Sequence, residues 1–88
     1  MDVKVIKFGG SSLADSTQFR KVAEIVKADE TRRYVVASAP GKRNGDDIKV
    51  TDMLYECYKL VREKKSIDEM FGRIEVRYNQ IISDLRLD

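Results

Sequence analysis

Histidine and tryptophan are absent from this 88-residue chain, and cysteine and proline occur once each, as Cys57 and Pro40. Without histidine, the commonest general base and the commonest metal ligand are missing. Any chemistry must then rest on Lys, Ser, Thr, Asp and backbone groups. A lone cysteine forms no internal disulfide, which points to a reducing, cytoplasmic compartment. Cys57 lies among apolar residues at helical spacing and reads as small core filling rather than as a nucleophile. No apolar run approaches the length that crosses a bilayer, and no apolar signal-peptide core follows Met1-Asp2-Val3-Lys4. An excess of one charge is also lacking. Lys and Arg number 17 against 15 Asp and Glu, a net charge of +2, too small to argue for nucleic acid or an anionic membrane.

What is present is ordinary globular composition, 42% hydrophobic with five glycines. So short a chain is one domain at most, residues 1–88, with a marginal core: domains of this size bury roughly 60–65% of their unfolded surface. Val3, Val5, Ile6 and Phe8 form a β-branched run that stops at Gly9-Gly10 and predicts a buried strand. Phe19, Val22, Ala23 and Val26 predict a helix from about Thr17 to Ala28, capped by Asp15 or Ser16. Tyr34–Ala37 predicts a second strand, broken at Ser38-Ala39-Pro40-Gly41. The stretch from Lys42 to Asp47 is a polar loop with a turn at Asn44-Gly45. Leu54, Cys57, Tyr58 and Val61 mark the apolar face of a second helix ending near Lys64-Lys65. Ser66 with Glu69 has the spacing of a capping box for a third. That helix carries Met70, Phe71, Ile74, Tyr78, Ile81, Ile82 and Leu85 on a broad stripe.

The class is therefore α/β, a βαβ unit with two additional helices. Strands joined through a helix run parallel, with a right-handed crossover. Parallel sheets need both faces covered and usually more than two strands, so two strands suggest an incomplete sheet and part of something larger.

Ligands of open parallel sheets bind beyond the carboxyl ends of the strands. There stands Lys7-Phe8-Gly9-Gly10-Ser11-Ser12. Two glycines let backbone approach a bulky anion where a Cβ would obstruct it, and successive N–H groups can form an anion-binding concavity. Lys7 adds a full charge on a flexible stem, suited to a phosphate whose charge moves during transfer. A strand that ends in Gly-Gly before a helix is also a common structural turn. The order of residues is neither a Walker loop nor the three-glycine dinucleotide fingerprint. Lys42-Arg43 with Lys49 form a second basic group, readable as phosphate-attracting or simply as solvated.

The six residues Lys7 to Ser12, ending a first strand near the amino terminus, resemble the segment that opens aspartokinases, within the amino-acid kinase superfamily. Val35-Val36-Ala37-Ser38-Ala39 resembles that family's second strand, and Thr51-Asp52-Met53-Leu54 a segment that meets its substrate. The residues from Pro40 to Val50 are longer and more charged than the family's short loop. The resemblance implies that the chain is the amino-terminal part of a parallel-sheet sandwich. It implies transfer of the γ-phosphoryl group of ATP to the β-carboxylate of L-aspartate, with Mg2+, on the path to lysine, threonine and methionine. Lys7 would be catalytic and bind phosphate with Gly9, Gly10, Ser11 and Ser12, while Ser38 and Thr51 would bind aspartate. It implies small-molecule partners, a homo-oligomeric full-length enzyme, no protein-bound metal in this segment and no activity from the segment alone. Another amino-acid kinase is one rival reading. A non-enzymatic interaction or oligomerisation module is the other.

Overall fold

The computed structural model describes residues 2–87. Strand β1 (Lys4–Phe8) is followed by a short 3-10 turn (Gly10–Leu13), helix α1 (Ser16–Lys27) and strand β2 (Arg32–Ala37). Helices α2 (Val50–Arg62) and α3 (Asp68–Asp84) complete the described chain. The strands pair in parallel, with Val5 opposite Tyr34, Ile6 opposite Val35, Lys7 opposite Val36 and Phe8 opposite Ala37. The expected βαβ unit with two further helices is thus the fold. Parallel pairing results from the α1 crossover, because both strands leave the same end of the sheet.

Each boundary has a local cause. Asp15 caps α1, its carboxylate accepting the Gln18 amide at 3.0 Å. Asp29 closes the turn into β2: it accepts the Thr31 amide at 2.9 Å and hydroxyl at 2.6 Å, and the Lys4 ammonium at 2.7 Å. Lys4 foremost, then Thr31, holds the Asp29 carboxyl well below the usual carboxylate range. Helices α2 and α3 end alike. Lys64 and Arg86 take a left-handed φ of 59°, and the next residue donates back across the last turn, Lys65 to Leu60 O at 2.9 Å and Leu87 to Ile82 O at 3.0 Å. This arrangement usually recruits glycine.

Two expectations are corrected here. Ser66 does not form a capping box with Glu69. Its hydroxyl accepts the Asp68 amide at 3.2 Å, and α3 starts from Ile67. The apolar face of α2 is also redrawn. Val50, Met53 and Cys57 point inward, while Leu54, Tyr58 and Val61 are exposed. The core is built from those inward residues with Ile74 of α3, and Ala39, Ile67 and Met70 pack against it. Cys57 is buried there as filling.

The strands are less covered than their composition predicts. Val3, Val5, Tyr34, Val35 and Val36 are exposed, Val5 at 69%. The buried side chains cluster around α2 and α3, and two strands have no second layer to hide both faces. The Cα radius of gyration is 15.6 Å, with extents of 53 × 28 × 26 Å. A compact domain of this length would have a radius of roughly 12 Å. Open sheet faces and an elongated outline are what an α/β segment shows when its covering layers come from elsewhere.

Candidate functional site

The carboxyl ends of β1 and β2 open on the same side, and the two loops that leave them are tied to each other. The Ser38 amide donates to Phe8 O at 3.1 Å, extending the ladder by a residue. The Gly41 amide then donates to Gly10 O at 2.8 Å, and the Val50 amide to Pro40 O at 3.0 Å. A continuous set of backbone bonds thus links the glycine turn, the end of β2 and the start of α2.

The link between Gly10 and Gly41 demands glycine. A Cβ on Gly41 would lie 2.6 Å from Gly10 C, 2.8 Å from its carbonyl oxygen and 2.8 Å from the Ser11 nitrogen. A Cβ on Gly10 would lie 3.2 Å from Ala39 O and from Gly41 Cα. These are backbone atoms, so nothing can swing aside. Gly9 differs: a Cβ there meets nothing within 4 Å, and its φ of −77° and ψ of 175° suit any residue. The fold does not require glycine at position 9.

Around this crossing lies an open cavity of about 330 Å³ lined by Gly10, Ser11, Gly41, Lys42 and Lys49. The basic loop and the glycine turn, separate features in sequence, share one concave surface. Ser12 contributes its amide to the turn itself, donating to Gly9 O at 3.1 Å. Lys7 is exposed near the end of β1, and Ser38 is exposed immediately after the end of β2. Thr51 stands apart. It lies in the first turn of α2 and lines an outward cavity with Leu54, Tyr55 and Tyr58.

Three residues that the sequence pattern did not single out organise this region. One is Gly41. The others are Asp47 and Arg77. Arg43 grips the Asp47 carboxylate through its amide at 2.9 Å, Nε at 2.6 Å and Nη2 at 3.0 Å. Arg43 is therefore engaged, unlike its neighbour Lys42, which lines the cavity. That Arg43 hydrogen bond holds the Asp47 carboxyl well below the usual range against the opposing effect of burial. A depressed folded pKa means that the contribution is complete above the ordinary value of 3.8. It fades as pH falls from there toward the lowered value and is gone below it.

Arg77, buried on α3 at 5% exposure, lies 3.7 Å from Asp47. It donates to Ala14 O at 3.0 Å, Gly41 O at 2.8 Å and Ile48 O at 2.9 Å. Burial pushes its pKa down from the ordinary arginine value and Asp47 pushes it back up; a guanidinium stays charged throughout. The one signal in the sequence was position: Arg77 falls three residues after Ile74 and four before Ile81, within the apolar stripe.

Among the described residues no group of three or more His, Cys, Asp or Glu side chains could hold a metal ion, and no helix is long and apolar enough to cross a membrane.

The model of the amino acid kinase family matches residues 2–85. Aspartokinase 3 of Bacillus subtilis (strain 168) is 45% identical over 85 residues, which is 97% of this chain and 19% of that protein. A chloroplastic bifunctional aspartokinase/homoserine dehydrogenase 2 of Arabidopsis thaliana is 38% identical over 76% of this chain and 6% of its own length. The crystal structure of an aspartate kinase from Clostridium acetobutylicum superposes with a TM-score of 0.95 at 48% identity, over all of this chain and 20% of that one. The chain thus spans about a fifth of the two more similar relatives.

Proposed function

This chain belongs to the amino acid kinase family, and from that membership we propose that it is one segment, residues 1–88, of the kinase domain of an aspartokinase. The full-length enzyme transfers the γ-phosphoryl group of ATP to the β-carboxylate of L-aspartate. The observation that carries this reading is agreement of sequence and backbone together along the whole chain with the Clostridium aspartate kinase, at 48% identity and a TM-score of 0.95.

The chemistry suits the residues present. A carboxylate is already a nucleophile at neutral pH, so a chain without histidine loses nothing for want of a general base. Catalysis then rests on positioning and on meeting the charge of the transferring group. Lys7 follows the phosphoryl oxygens, and the amides of Gly9 and Gly10, with Ser11 and Ser12, cradle phosphate. Ser38 and Thr51 orient aspartate. Thr51 does so only if the substrate reaches from the end of β2 to the first turn of α2. ATP is the phosphoryl donor, and the Mg2+ that accompanies it supplies further neutralisation of phosphate charge. The assembly is a homo-oligomer acting in the cytoplasm on small molecules, and serves lysine, threonine and methionine synthesis.

The direct test uses the full-length enzyme and traps acyl phosphate as a hydroxamate. Aspartate should be the acceptor, with acetylglutamate, glutamate and carbamate inert. Turnover with one of those and none with aspartate would move the chain elsewhere in the family. Equal silence with all of them would favour an interaction module.

Ser38 allows a sharper test. Its hydroxyl is exposed, while its position is fixed by the backbone bond to Phe8, which alanine retains. A small neutral group that both donates and accepts suits an amino acid better than a triphosphate. Ser38→Ala should cost about 1–3 kcal/mol of aspartate binding, a rise in KM of roughly 5- to 150-fold. The KM for ATP should stay within about threefold. If both KM values hold and the melting temperature falls, Ser38 caps the turn before Pro40 and does not touch substrate.

A further inference from the structure

The segments that meet at the glycine crossing are loops, and loops without a ladder between them have few means of holding one relative position. Here a single side chain from a distant helix reinforces the one backbone bond between Gly41 and Gly10. Arg77 Nη2 donates to both Ala14 O and Gly41 O, and Nη1 donates to Ile48 O. The acceptors belong to the two segments that meet there, Ala14 to the first and Gly41 and Ile48 to the second. Ala14 directly follows the glycine turn, Gly41 is its partner in the crossing, and Ile48 directly precedes Lys49, which lines the cavity.

Packing alone does not explain an arginine here. Burying a guanidinium costs more desolvation than filling the same space with an apolar chain, and replacing buried charges by hydrophobic residues is often neutral or stabilising. What an apolar side chain cannot do is satisfy three carbonyls at once in a fixed plane. The rigid fork of arginine can. Asp47, at 3.7 Å and itself gripped by Arg43, supplies the countercharge from within the same loop.

We propose that Arg77 is a positioning residue for phosphate binding: from the core side it fixes the glycine turn and the 40–50 loop at the separation in which the crossing can hold a nucleotide phosphate. This rests on the kinase reading above. Aspartate binding through Ser38 depends on the β1–β2 ladder and is independent of Arg77.

The test compares Arg77→Met and Arg77→Lys in the full-length enzyme, at a temperature where each is folded, measuring kcat, both KM values and the melting temperature. The expected result is a KM for ATP raised at least tenfold and a lowered kcat in both variants, with the KM for aspartate changed less than threefold. Lysine should recover part of the melting temperature without recovering the KM for ATP, because the donors of one ammonium radiate from a single nitrogen and lack the planar fork that reaches these carbonyls from both Nη1 and Nη2. Loss of melting temperature with both KM values and kcat intact would make Arg77 a purely structural residue and overturn the proposal. Should neither variant fold, Asp47→Asn decides by the same criterion: a raised KM for ATP alone supports the proposal, and an unchanged one rejects it. An enzyme that uses another acceptor yet shows this Arg77 pattern would sink the aspartate reading and leave the positioning role standing.

Discussion

Lys7→Ala in the full-length enzyme should lower kcat by roughly 10² or more, the scale on which a preorganised transition-state charge acts. The KM for aspartate should barely move. Lys7 lies one residue from the carboxyl end of β1, opposite Val36, with its side chain exposed. Among the described residues it has no ion-pair partner, whereas Lys4 on the same strand is held by Asp29 at 2.7 Å. The Lys4 charge is spent on the fold, and that of Lys7 is left for something outside this segment. A phosphoryl group gathers charge on its peripheral oxygens as it leaves ADP, so a lysine that follows it contributes most in the transition state. Such a residue shows in kcat and in kcat/KM together. Steady-state kinetics with both substrates varied would decide. A rise in the KM for aspartate at constant kcat would make Lys7 a substrate contact instead of a catalytic group.

The parts of this fold governed by short-range rules were legible in the sequence. The run from Val3 to Phe8 and the Tyr34–Ala37 run announced strands, Asp15 announced the start of α1, and together they dictated a parallel βαβ unit. Rules that depend on a partner across space were not legible. Helix α2 carries two apolar faces, and the pattern alone favoured Leu54, Cys57, Tyr58 and Val61; of these the structure turns only Cys57 inward, with Val50 and Met53, toward α3. The capping-box spacing at Ser66 and Glu69 was right, but Ser66 found the nearer amide of Asp68. Both helices end in a left-handed residue that is not glycine, so no glycine marked the stop.

The same division runs through the candidate site. The glycine pair after β1 was visible because it interrupts an apolar run. Gly41 read as a mere breaker, since its need for glycine comes from Gly10, 31 positions earlier in the chain. Arg77 was not singled out, because a charged residue normally marks a solvated face, and only the three carbonyls around it explain its burial. What could not be read was, in each case, a contact with a loop distant in the chain.

That contact sets the second large effect. Gly41→Ala should destabilise the enzyme by at least about 3 kcal/mol, the sum of overpacking against rigid backbone and the loss of a buried hydrogen bond. In a domain of ordinary size that is a fall in melting temperature of about 6–12 °C. At an unstrained site the same change stabilises by about 0.4–1 kcal/mol through the unfolded chain. Here the sign reverses, because the added Cβ would sit 2.6–2.8 Å from Gly10 C, Gly10 O and Ser11 N. Relieving that overlap moves Gly41 away from Gly10, breaks the 2.8 Å bond between them and drags the Gly41 carbonyl off Arg77. The KM for ATP should therefore rise along with the loss of stability. Gly9→Ala is the companion measurement, because nothing lies within 4 Å of its added Cβ and its φ is negative. Its melting temperature should match that of the parent, while a methyl group over the turn should raise the KM for ATP if phosphate lies there. A Gly41→Ala enzyme that melts with the parent would mean that the two loops do not cross at that separation. A Gly9→Ala enzyme with the parent's KM for ATP would remove Gly9 from the phosphate cradle and leave Gly10 and its crossing partner to carry it.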